Sequence, residues 1–228
     1  MSAKEDPHML SHIAGAVVPV LGRLTVTAAP DAELAPGSII AANHTSLLDP
    51  AVVIAALHRH GVRPVILATA GLWRIPVLGR VLAREGHVPV HRNDPRAARS
   101  LDGAEEALAS GRSVLIYGEG RLPQRTDSGE TPPGPFRPGL AALAQRTGAP
   151  VVPLGQAGAR RLSSGSRAKQ IAGFLTAPAR RPDLHVHIGA AVRLNGDRHT
   201  ATARARAAVT DAWRTAAERL GEPVALAA

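Results

Sequence analysis

The chain has no cysteine among its 228 residues. That excludes disulfides, cysteine-ligated zinc, iron–sulfur clusters and a thiol nucleophile, and it fits a reducing compartment. Aromatic residues make up only 2% of the sequence. A core must therefore be built from Ala, Val, Leu and Ile, and several stacking rings for single-stranded nucleic acid are missing. No nucleic-acid partner is expected. Lysine is confined to Lys4 and Lys169, so the basic character is almost all arginine. Acids are fewer than bases, 18 against 27, for a formal charge of +9. This balance favours anionic partners such as lipid headgroups or phosphorylated small molecules, without choosing among them. Runs of ~18 or more apolar residues, as a membrane span requires, are also absent. The stretch from Met9 to Leu24 is apolar in part, broken by His12, Arg23 and several Gly and Pro residues. Lys4-Glu5-Asp6 is a poor start for a signal peptide. This stretch is read as a packing helix or as a helix lying on a bilayer surface.

What the chain does have is alternation of strand and helix signals. Ser38-Ile39-Ile40-Ala41-Ala42 reads as a buried strand, followed by a helix from about Leu48 to His60 with Pro50 in its first turn. Pro64 to Ala68 is a second strand, Leu72 to Arg84 a helix interrupted at Pro76, and Val88-Pro89-Val90 an edge strand. A helix from Pro95 to Ser110 leads to the strand Ser113 to Tyr117, then a Pro/Gly-rich loop to about Pro138. Gly139 to Thr147 is helical, Val151 to Leu154 and Leu184 to Ile188 are strands, and Thr200 to Leu220 is the last helix. Arg160 to Lys169 reads as a basic, solvated loop, with docking on anionic lipid headgroups or on phosphates as the alternative. The pattern predicts an α/β fold: a single domain with a mainly parallel mixed sheet flanked by helices. Three segments are expected: an N-terminal helical segment over 1–35, a catalytic domain over 36–195, and a C-terminal helix and tail over 196–228. In such a sheet, the loops that follow the strands gather at one end, where active sites form.

At the exit of the first strand, His44 and Asp49 are spaced H-x-x-x-x-D. A histidine there can accept a proton from a hydroxyl near neutral pH. An aspartate can fix its tautomer and stabilise it once charged. The offset suits a turn carrying the histidine and a helix start carrying the aspartate. Alone, the pair is weak, since Asp49 could simply cap a helix.

The surrounding text is more specific. Asn43-His44-Thr45-Ser46-Leu47-Leu48-Asp49 resembles the first motif of the lysophosphatidate (1-acylglycerol-3-phosphate) acyltransferase family, within the glycerolipid acyltransferase superfamily. Trp73-Arg74-Ile75-Pro76-Val77-Leu78-Gly79 looks like the family's K-x-P segment, and Gly86 to Arg92 like its second motif. Tyr117-Gly118-Glu119-Gly120, Phe136-Arg137-Pro138-Gly139 and Val151-Val152-Pro153-Leu154 resemble the later ones, in the family's order. The resemblance implies a glycerolphosphate-acyltransferase-like fold and a base role for His44, with Asp49 orienting it. It implies an acceptor site lined by Arg92, Glu119, Gly120 and Arg121. A guanidinium suits a phosphate, and a glycine turn lets backbone N–H groups approach an anion. The implied partners are an acyl-CoA or acyl carrier protein donor and a lysophospholipid acceptor, with no metal and no cofactor. The expected location is peripheral, at the cytoplasmic face of a membrane.

One departure bears on the acceptor. The family's third motif usually reads E-G-T-R, whereas here it reads Glu119-Gly120-Arg121-Leu122. Arg121 or Arg125 could supply the missing cation, or the acceptor could be a sugar, polyol or other unphosphorylated hydroxyl. A non-catalytic lipid-binding relative is the third reading. His185 and His187, sharing one strand face, read as an ordinary exposed pair without a third metal ligand. There is no P-loop, dinucleotide fingerprint or serine-hydrolase elbow.

Overall fold

The structure is a computed structural model and describes residues 8–91, 97–122 and 127–222. Seven strands form one sheet in the order β1-β7-β6-β2-β5-β3-β4. They are β1 (Arg23–Ala28), β2 (Ile39–Ala42), β3 (Val65–Thr69), β4 (Val88–Val90), β5 (Val114–Tyr117), β6 (Val151–Ala157) and β7 (Asp183–Ile188). Every pairing is parallel except β6 with β7. The fold is the expected α/β arrangement. Val88-Pro89-Val90 takes the edge, as a strand with a missing N–H must.

Strand β2 shows why the sheet is covered on both faces. Its four residues are all fully buried, and they alternate between two cores. Ile40 and Ala42 join a cluster with α1 (Met9–Leu21) and α2 (Asp49–Arg59), while Ile39 and Ala41 join one with α4 (Ala97–Ala109) and α5 (Gly139–Thr147). The long α8 (Arg198–Arg219) lies on that second face, and its backbone comes so close to β6 that a Cβ on Gly155 would sit 2.0 Å from the carbonyl carbon of Ala212. Only glycine permits that approach. The near absence of aromatics is met as composition requires: Trp213 is the one large ring fully buried among the described residues, and Ala, Val, Leu and Ile fill the rest.

Several elements differ from the sequence reading. Among the described residues of the expected N-terminal helical segment, Met9–Leu21 is helix and Arg23–Ala28 is strand β1, pairing parallel with β7. Its burial is irregular, so no alternation marks it. The helix expected over Leu72 to Arg84 with an interruption at Pro76 breaks there, but its first part is a 3-10 turn (Ala70–Arg74), and Pro76 starts α3 (Pro76–Arg84). The basic stretch expected to be loop holds the short α6 (Ala159–Leu162) and the beginning of α7 (Arg167–Arg180). Helix α7 carries Gly173 and Pro178, both poor helix formers, and Ser166 caps it through the Lys169 N–H.

Candidate active site

Strands β6, β2 and β5 are adjacent and parallel, so their C-terminal ends share one edge of the sheet. His44 follows β2, Glu119 follows β5, and Gln156 lies at the end of β6. Topology thus brings together residues more than a hundred positions apart.

The centre is Asp49. It is the first residue of α2 yet turns its carboxylate back over the preceding loop rather than along the helix. Its Oδ2 accepts the Ser46 N–H at 2.7 Å, the Thr45 N–H, and a hydrogen bond from His44 Nδ1 at 3.0 Å. A carboxylate can only accept, so Nδ1 carries a proton, and in the neutral ring Nε2 is the nitrogen that keeps its lone pair. The Asp49 side chain is 0% exposed and that of His44 is 14% exposed. The imidazole is therefore reachable while its partner is sealed from water. Against its other side lies the Tyr117 ring, 4.4 Å away between centroids and tilted by 31°. The Tyr117 hydroxyl is buried, and burial first, then the charge of Asp49, pushes its ionisation well above the usual tyrosine range.

The backbone of the turn is fixed from three directions. Glu119 Oε1 accepts the His44 N–H at 2.8 Å, and Oε2 accepts the Gly134 N–H at 3.1 Å. Asn43 makes a reciprocal pair with the backbone of Gln156, accepting its N–H at 2.8 Å and donating to its carbonyl at 3.0 Å. Gln156 Nε2 in turn donates to Thr45 Oγ1 at 3.1 Å. Finally Arg160, only 4% exposed, donates from Nη1 to the Thr45 carbonyl at 2.8 Å and from Nη2 to the Asp127 carbonyl. Burial pushes the Glu119 pKa above the ordinary carboxylate value, and the His44 and Gly134 amides oppose the rise.

The expected residues therefore divide. His44 and Asp49 are in contact, and Glu119 meets the backbone of His44 rather than standing free in a loop. Gly120 makes a left-handed turn with φ +67°, its N–H returning to the Tyr117 carbonyl, and Arg121 beside it is exposed. Arg92 and Arg125 lie outside the described residues. Asn43, Gln156 and the Arg160 clamp were not singled out from sequence. Asn43 stands next to the motif histidine, which was a usable signal; Arg160 had none, because a buried arginine reads like a surface one. Arg160 is not the solvated loop residue it was read as. Likewise His185 is buried and His187 half-buried, both bonded to Thr27 Oγ1 at 2.9 Å, so they are strand-packing groups and not an exposed pair. No group of three potential metal ligands occurs among the described residues.

The profile of the Acyltransferase family matches residues 23–156. A chloroplastic 1-acyl-sn-glycerol-3-phosphate acyltransferase of Brassica napus is 34% identical over 117 residues, which cover 51% of this chain and 31% of that protein. A 1-acyl-sn-glycerol-3-phosphate acyltransferase of Borreliella burgdorferi is 30% identical over 133 residues, 58% of this chain and 50% of the relative. The chain thus spans from about a third to half the length of these curated relatives. The crystal structure of PlsC, a 1-acyl-sn-glycerophosphate (LPA) acyltransferase from Thermotoga maritima, superposes with a TM-score of 0.69 at 18% identity, covering 96% of this chain and 83% of that one. That likeness establishes the fold.

Proposed function

The chain belongs to the Acyltransferase family, and on that premise we propose that it moves a fatty acyl group from a thioester to the hydroxyl of a lysophospholipid, with 1-acylglycerol 3-phosphate as acceptor and phosphatidic acid as product. The observation that carries the reading is the His44–Asp49 pair, with the imidazole accessible and the carboxylate buried. His44 Nε2 takes the proton of the acceptor hydroxyl as its oxygen attacks the thioester carbonyl. Asp49 holds the Nδ1–H tautomer and balances the charge that forms on the ring. The tetrahedral intermediate collapses, the carbon–sulfur bond breaks, and the leaving thiolate takes the proton from His44 Nε2, which returns the ring to its neutral form. This needs neither a nucleophilic side chain nor a metal. Acyl-CoA or an acyl carrier protein is the donor, Arg92, Gly120 and Arg121 are the acceptor-side groups, and Glu119 acts from behind by holding the His44 amide. The enzyme works as a peripheral protein at the cytoplasmic face of a membrane; no helix among the described residues is long and apolar enough to cross one.

The test is release of free thiol from palmitoyl-CoA with and without lysophosphatidate. The protein itself contributes no thiol background. Acceptor-dependent release should vanish in His44→Ala; full activity in that variant overturns the mechanism. A second reading, with an unphosphorylated sugar, polyol or metabolite hydroxyl as acceptor, draws on Leu122, which stands where the family's third motif usually has arginine. Turnover with such acceptors and none with lysophosphatidate selects it. Liposome binding with no thioester turnover at all favours a non-catalytic relative.

A further inference from the structure

Helix α7 is amphipathic the wrong way round for a helix that only packs. The residues it turns toward the protein are small: Ala177 is fully buried, and a Cβ on Gly173 would come within 2.7 Å of the Leu162 carbonyl oxygen on α6. Its large apolar side chains, Ile171, Phe174 and Leu175, face outward, with Leu175 70% exposed. Helices of soluble domains bury the large side chains and expose the polar ones, so core packing does not account for this face.

The neighbouring helix packs in the ordinary way but also leaves large apolar residues outward. Helix α1 buries Ala14, Val18 and Leu21 and leaves Ile13, Val17 and Val20 outward. It packs beside α7 on the same side of the sheet, and Arg181 ties the two by donating to the Pro19 carbonyl at 3.1 Å. Neither helix contains an Asp or Glu. Cations bracket α7 instead: Arg167 and Lys169 in its first turn, Arg180 and Arg181 at its end.

The position of α7 matters too. It enters from α6, which begins just beyond the C-terminal end of β6 and holds the Thr45 carbonyl through Arg160. It leaves into β7, which runs antiparallel to β6 and so starts at that same end. Both ends of α7 therefore lie at the sheet edge that carries His44, and Leu47, three residues from His44, is itself 70% exposed.

We propose that the outward face of α7, with that of α1, is the surface by which the protein docks on an anionic lipid bilayer, with Ile171, Phe174 and Leu175 entering the headgroup–acyl boundary. The flanking cations meet acidic headgroups, and the apolar residues gain from leaving water. The inference rests on the acyl-transfer reading and adds to it where the lipid lies: the sheet edge bearing His44 faces the membrane, so an acceptor reaches the imidazole from the bilayer. An acidic carrier protein is the competing occupant of a basic face, but three protruding apolar side chains suit a bilayer better than an acidic surface.

The test is co-sedimentation of the full chain with sucrose-loaded vesicles, which requires no turnover. Wild type should bind mixed phosphatidylglycerol–phosphatidylcholine vesicles at least about tenfold better than pure phosphatidylcholine, and lose binding as salt rises. The triple variant Ile171→Ser, Phe174→Ser, Leu175→Ser should lose that binding with an unchanged melting temperature, because the three residues are exposed. It should keep thiol release with a dispersed short-chain acceptor and lose it with the same acceptor class embedded in vesicles. In the variant Phe174→Trp, brominated lipid should quench the new indole. Vesicle binding by the triple variant equal to wild type overturns the proposal. So does a defect confined to vesicle-free assays with an acyl carrier protein donor. If no donor–acceptor pair turns over at all, the functional reading fails while the binding result still decides the docking face.

Discussion

Arg160 and Asp49 hold the two ends of one residue: the Thr45 N–H donates to the Asp49 carboxylate, and the Thr45 carbonyl accepts from Arg160 Nη1 at 2.8 Å. Thr45 is the residue after His44, so any freedom in it moves the imidazole. The guanidinium also reaches the Asp127 carbonyl, joining the β5–α5 loop to the turn that carries His44.

Replacing Arg160 by Met keeps most of the buried volume and removes both donors. Leaving two carbonyls without partners costs about 1–3 kcal/mol. A displaced base costs more in rate, on the order of a hundredfold for a shift near 1 Å. The expected outcome is a large fall in kcat, little change in KM and a modestly lower melting temperature. Arg160→Lys, which supplies charge but only a point-like donor group, should recover part of the rate. Steady-state thiol release and thermal unfolding check this; a variant whose KM rises while kcat holds would place Arg160 in substrate binding instead.

The same turn shows how far sequence alone reaches. The contact of His44 with Asp49 was legible because the two lie five residues apart after a buried strand, within a motif that resembles a known family's. The parallel sheet was legible because β2, β5 and β6 are apolar runs separated by helical patterns. Arg160 was not, since its burial arises only when α6 folds over the end of β6, more than a hundred residues from Thr45. Strand β1 was missed for a related reason: it is an edge strand whose partner, β7, is about 160 residues away, and no internal alternation marks it. Helix α7 was hidden by Gly173 and Pro178 and by apolar residues that serve no core. What escapes the sequence is what depends on distant partners or on a face left unburied.

Asp49→Asn separates charge from geometry. All three strong contacts converge on Oδ2, and the Oδ1 side meets only Thr45 Oγ1 at 3.4 Å, a hydroxyl able to rotate and accept. An asparagine oxygen in the Oδ2 position keeps the two amides and the imidazole, so folding stability should change little. The negative charge opposite the imidazolium is lost, and kcat should fall roughly 10²–10⁴-fold. Asp49→Ala strips the amides of their acceptor as well, and should lower both kcat and the melting temperature. Equal melting losses in the two variants would show that the negative charge itself, and not an acceptor oxygen alone, holds the turn.

Away from the site, His87 gives the fold a defined acid sensitivity. It is 8% exposed, accepts the Ile66 N–H at Nδ1 and donates from Nε2 to Glu85, whose other oxygen accepts the Leu10 N–H of α1. Burial first, then the positive charges of Arg112 and His8, lowers its pKa to about 4, against the ordinary histidine value of ~6.5. Between those limits the unfolded chain binds the proton and the folded chain does not, so the stabilising contribution is complete above ~6.5 and is lost as pH falls toward 4. The full loss is on the order of 3 kcal/mol. Glutamine preserves both roles, an oxygen for the Ile66 N–H and an N–H for Glu85, without titrating. Urea unfolding of wild type and His87→Gln at steps from pH 7.5 to 4 should give a difference that is constant above ~6.5 and shifts in favour of the variant below it. A difference that shifts in favour of wild type as the pH falls would mean that Glu85 holds the proton on the ring in the folded state, and that the α1 attachment is an ion pair.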